Sequence, residues 1–136
     1  MKLALSFLLI FTCLLACKKD EIEVAPQGLV GKWKLVSTEH LQGGKIVTQD
    51  KSADSIYIYF SKYGEVVNSE GKRRFCGPSY LRINGDHFTI QLKSEPAIEP
   101  FLSICADCPT WNVDLQPNEM TLSICSPENK SKYVRE

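Results

Sequence analysis

The side chains with the most chemistry to offer are six cysteines: Cys13, Cys17, Cys76, Cys105, Cys108 and Cys125. A thiol in such a set can close a disulfide, bind a metal as thiolate, or shuttle electrons in a Cys-x-x-Cys pair. Cys105-Ala106-Asp107-Cys108 has the redox spacing, but redox pairs usually open a helix and Pro109-Thr110-Trp111 leads into a strand pattern. A Cys₄ zinc site usually needs two such knuckles, and Cys76 and Cys125 form no second one. The remaining reading is two disulfides among Cys76, Cys105, Cys108 and Cys125, for which three connectivities exist. His40 and His87 are the only imidazoles, and neither sits in a nucleophile motif. Asp86 beside His87 is turn chemistry, and Glu95, Glu99, Asp107 and Asp114 lack calcium-loop spacing. No nucleophile, base and oxyanion set can be assembled, so the chain reads as non-enzymatic, without metal or cofactor.

Disulfides require an oxidising compartment, and the amino terminus supplies a route to one. Lys2 gives a small positive start, and Leu3 to Ala16 is apolar apart from Ser6 and Thr12. That run matches a secretory signal and is too short for the roughly 20 residues of a bilayer span. Its end, Leu14-Leu15-Ala16-Cys17, resembles the cleavage box of bacterial lipoproteins. The resemblance implies a signal peptide over 1–16, and Cys17 carrying a diacylglyceryl group and a further acyl chain, palmitate-like, as the membrane anchor. At about 0.8 kcal/mol per buried CH₂, two or more chains hold a protein on a membrane almost permanently. Lys18-Lys19-Asp20-Glu21 resembles the charged signal that sends some Gram-negative lipoproteins to the cell surface, so the expected location is the outer membrane, surface-displayed or otherwise facing the periplasm. Residues 17–27 form the lipidated terminus and an extended tether. With 16 basic and 16 acidic residues the charges cancel, and no nucleic-acid footprint appears beyond Lys72-Arg73-Arg74.

The elements that must position these groups are strands. Residues 28–136 suffice for one small domain, and the period of two recurs along it. Trp33 and Leu35 share a face opposite Lys32 and Lys34; Ile56, Ile58 and Phe60 alternate with Tyr57 and Tyr59; Ser61-Lys62-Tyr63-Gly64 turns the chain into Glu65-Val66-Val67. Asn84-Gly85 favours a tight type I′ turn between Tyr80–Ile83 and His87–Leu92, with Leu81, Ile83, Phe88, Ile90 and Leu92 facing the core. A short strand is expected over 101–105. Trp111–Gln116 and Glu119–Cys125 alternate about Pro117-Asn118, and a last strand runs to Arg135. About eight or nine short strands without a helical period predict an all-β fold, an up-and-down antiparallel barrel of about eight strands.

Register narrows the cysteine pairing. With Pro117-Asn118 as the turn, Gln116 faces Glu119, Cys125 falls opposite Thr110, and Cys108 is its near-diagonal neighbour. This favours Cys108 with Cys125 and Cys76 with Cys105; a local Cys105 to Cys108 bridge with Cys76 to Cys125 is the runner-up.

Gly31-Lys32-Trp33, with Tyr133 and Arg135 near the carboxyl end, resembles the small bacterial lipocalin-like lipoproteins, whose first strand carries Gly-x-Trp. The resemblance implies a lipocalin-like barrel over 28–136 in which Trp33 packs at the closed end beneath Arg135. It also implies an open mouth for a small hydrophobic ligand, with Trp33, Leu35, Ile58, Phe60, Phe88, Ile90, Trp111 and Leu122 as the interior lining. The Thr-Asp-Tyr loop of the larger lipocalins is absent. Counting Ile56 and Leu92 among the inward candidates nearly fills an eight-stranded interior. The alternative is therefore a filled barrel acting as a protein-interaction or inhibitor module through disulfide-pinned loops, with Tyr63 and Phe75 as anchors.

Overall fold

A computed structural model describes residues 22–98, 105 and 107–136. The signal segment, Cys17 and nearly all of the strand expected over 101–105 lie outside the described residues. Nine strands are present and no helix among the described residues. They are β1 (Gly31–Gln42), β2 (Lys45–Asp50), β3 (Tyr57–Phe60), β4 (Val66–Val67), β5 (Tyr80–Ile83), β6 (Asp86–Thr89), β7 (Thr110–Leu115), β8 (Glu119–Ile124) and β9 (Lys130–Arg135). They build one strongly curled sheet, a half-barrel, in the order β4-β3-β1-β9-β8-β7-β5-β6, with β2 on β1.

The all-β class and the barrel-like curl agree with the sequence. Pairing of the first and last long strands, β1 with β9, brings Trp33 opposite Arg135. One connection departs from up-and-down order, since β5 pairs with β7 in parallel and β6 takes the sheet edge. The physical reason is loop length. Asn84-Gly85, with φ of 50° and 95°, closes β5 on β6 so tightly that they must be neighbours. Residues 90–109 then supply more than the dozen or so residues that a parallel crossover needs.

β1 serves two partners along one edge. Its first half pairs with β3 and its second half with β2, and the change falls at a register shift against β9 between Leu35 and Ser37. A bulge increases twist and re-aims the strand beyond it; β1 stays paired with β9 as far as Glu39, its tip runs on past β9, and β2 is almost wholly exposed.

The core is one cluster. Leu29, Trp33, Leu81, Met120 and Leu122 are fully buried, with Leu35, Phe60, Phe88, Ile90, Trp111 and Val113 around them. Two inward expectations are corrected. Leu92 is 64% exposed and Ile56 46%. β6 stops at Thr89, and Gln91 N–H donates to Tyr63 O instead of continuing a ladder, so alternation no longer sets which way Leu92 points. Ile56 precedes β3. The folded body also starts ahead of Gly28: Ala25 is buried and its N–H donates to Lys62 O at 2.9 Å.

Gly64 shows how tightly the turn before β4 sits on β6. Its φ is +81°, and a Cβ there would lie 2.6 Å from Cε1 of Phe88. Gly64→Ala is expected to cost roughly 2–4 kcal/mol, combining left-handed strain with overpacking of a core ring. A melting curve showing less than a degree of change would contradict this close approach.

Candidate functional site

Arg135 covers Trp33 as expected, the guanidinium carbon lying 4.4 Å from the ring centroid. Trp33 Nε1 donates to Leu29 O at 2.8 Å. Arg135 donates to Val30 O at 3.1 Å and to Gly28 O. The entering chain is thus tied to the last strand by a fork that only a guanidinium provides. Arg135→Ala is expected to cost about 1–3 kcal/mol through these charge-assisted bonds and the ring contact. Arg135→Lys should recover only part of it in denaturant unfolding, and full recovery would contradict the fork.

The residues expected to line an interior cup are packed against one another. Trp33, Leu35, Phe60, Phe88, Ile90, Trp111 and Leu122 belong to the buried cluster, and half-buried Ile58 packs on it. These side chains form one contiguous buried cluster between the curled faces, and an open cleft lies at the surface.

Both disulfides are present, Cys76 with Cys105 and Cys108 with Cys125, their Cα atoms 5.2 and 5.3 Å apart. The pairing favoured by register holds because Trp111 does face Ile124, which places Cys125 next to the approach to β7. All four of these cysteines are paired in the two bridges. His87 rests against Tyr80, ring centroids 5.0 Å apart, and His40 pairs with Val47 in the protruding hairpin.

The half-barrel leaves a seam between its edge strands β4 and β6, and irregular chain closes it. Arg73 bridges to Val67 on one side and to Pro96 on the other. Arg74 N–H donates to Val66 O, Arg73 N–H to Glu95 O and Ala97 N–H to Arg73 O. The closure is held by Glu65, 2% exposed and immediately ahead of β4. Its carboxylate accepts from Ser61 Oγ at 3.0 Å, Ser94 Oγ at 2.5 Å, Ser94 N at 3.0 Å and Lys93 N at 2.9 Å. Burial alone pushes this carboxyl up. The hydrogen bonds from Ser94, Ser61 and Lys93 outweigh burial and hold it below the ordinary glutamate value.

A cleft of about 450 Å³ opens in this seam, within the size range of small-molecule sites. Its walls carry Phe75, Tyr80, Ile90 and Leu92 as apolar surface, with Arg73 as a cation and Glu65 at the base. Phe75 is 78% exposed and stands next to the Cys76 bridge. Of the residues expected to bind ligand, only Ile90 lines this cleft. Glu65 and Arg73 were not singled out as site residues, because the partners that complete the seam, Lys93 and Ser94 for Glu65 and Glu95 and Pro96 for Arg73, lie more than twenty residues away and leave no local motif.

No protein-family model, no curated protein and no solved structure matches this chain.

Proposed function

We propose that this chain is an exported bacterial lipoprotein, anchored in the outer membrane by lipid on Cys17, whose lipocalin-like half-barrel binds a small hydrophobic ligand in the seam cleft rather than in its interior. The observation that carries the reading is the cleft itself, where exposed Phe75 and Leu92 meet beside Arg73 on a segment pinned by the Cys76–Cys105 disulfide. A pinned loop loses less entropy on binding. Disulfides agree with a compartment outside the cytoplasm, and the short apolar leader ending in Ala16-Cys17 agrees with lipidation.

The 78% exposure of Phe75 also favours a second reading, in which the same loops grip a protein partner. Native mass spectrometry of the membrane-extracted protein, with organic extraction of what copurifies, separates the two. A one-to-one small hydrophobic molecule that is lost in Phe75→Asp supports ligand binding. A stoichiometric protein partner lost in the same variant supports the second reading. Neither species on the native protein would contradict both.

A further inference from the structure

Among the exposed apolar side chains, Leu41 and Ile46 sit at the tip of the β1–β2 hairpin, Ile56, Tyr80 and Ile98 lie singly, and Ile22, Val24, Phe75 and Leu92 lie on segments near the point where the tether joins the body. Hydrogen bonds fix that neighbourhood. Ala25 N–H donates to Lys62 O and Gln91 N–H to Tyr63 O, so the tether and the 91–93 segment flank the same turn. Lys93 N–H reaches Glu65, and Arg74 N–H pairs with Val66, which puts Phe75 one residue further toward that turn. Phe75 and Leu92 both line the seam cleft. Exposed Lys62 and Lys93 stand beside them, the Lys62 ammonium 5.0 Å from the Tyr63 ring centroid. The acids nearby are Glu23 and Glu95, both exposed, while Glu65 is spent on its own hydrogen bonds.

We infer that this face, with Leu92 and Phe75 at its centre and Lys62, Tyr63 and Lys93 around them, docks on the phospholipid bilayer and holds the mouth of the cleft against it. The inference rests on the lipid anchor at Cys17. Ala25 is buried and bonded, so only the residues from Cys17 to Ala25 separate lipid from folded body. Fully extended at about 3.3–3.6 Å per residue they reach less than 30 Å. The β1–β2 tip lies about 30 Å further along β1 from Gly31. Within that reach, apolar tips, an aromatic ring with a polar end and two long cations form the composition that settles at a bilayer interface. The lysines can meet lipid phosphates while Leu92 and Phe75 enter the acyl boundary.

The test uses the full lipidated protein in phosphatidylcholine vesicles, with and without lipids brominated on their acyl chains. Trp33 and Trp111 are buried and supply a constant background of fluorescence. Leu92→Trp, with Phe75→Trp as a second reporter, is expected to be quenched at least threefold more than Ile46→Trp at the far hairpin. Protein that floats with the vesicles and carries the lipid mass, yet quenches equally at all three positions or at none, overturns the docking face and leaves the anchor standing. Protein that neither floats nor carries lipid on Cys17 overturns the anchor and the docking face together.

Discussion

Glu65→Ala is expected to destabilise the domain by about 2–4 kcal/mol, because it strands buried donors at Lys93, Ser94 and Ser61 that water cannot fully serve. For a domain of this size that is a fall of roughly 10 °C or more in melting temperature. The loss should be local first, with residues 91–97 opening from β4 and the seam cleft losing its wall. Glu65→Gln keeps the shape but turns an amide NH₂ toward donors, so it should fall between alanine and the native residue. The pH dependence has a definite sign. The folded carboxyl titrates below its ordinary value, so its contribution is full above the unfolded pKa of about 4.3 and is lost as pH falls through the folded value. Thermal melts from neutral to acid pH should show this acid limb in the native protein and a weaker one in Glu65→Gln. Equal slopes in the two would contradict the role given to Glu65.

Removing the Cys108–Cys125 bridge should cost about 3 kcal/mol, the loop-closure value for its 17-residue separation. Cys125 adds a backbone effect, since its φ is +63°, in the left-handed region. Once the bridge is gone nothing compensates a side chain there, so Cys108→Ala with Cys125→Gly should be about 1 kcal/mol more stable than Cys108→Ala with Cys125→Ala. The two bridges should also separate in function. Cys76–Cys105 holds the segment that presents Phe75, whereas Cys108–Cys125 holds the approach to β7. Ligand retention should therefore drop much more in Cys76→Ser with Cys105→Ser than in the other double variant. Equal retention in the two would argue against the seam as the binding site.

What could be read in advance depended on how local its signal was. Asn84-Gly85 and Pro117-Asn118 each set a hairpin within a few residues, and the second set the cysteine pairing as well. The Trp33 and Arg135 contact was legible through a resemblance carried by a handful of residues. The parallel β5–β7 pair was not, because residues 90–109 carry no pattern stating which strand edge they cross to. Leu92 was misplaced by continuing an alternation past the point where its ladder ends. Seven of the eight residues expected to line a cup are buried in the core cluster and the eighth, Ile58, packs against it, but alternation reports inwardness alone and cannot distinguish lining from filling. Glu65 stayed invisible because, Ser61 apart, its partners arrive from 28 and 29 residues away.

The most direct test of binding at the seam is hydrogen exchange on the protein with and without the hydrophobic ligand that the proposal expects to copurify with it. Slower exchange in the loaded protein over Arg73–Tyr80 and Ile90–Ala97, with no change in β1, β7 and β8, is the result expected for a ligand in the cleft. Protection confined to the segments around Trp33, Leu35, Trp111 and Leu122 would place the ligand inside the barrel and contradict it.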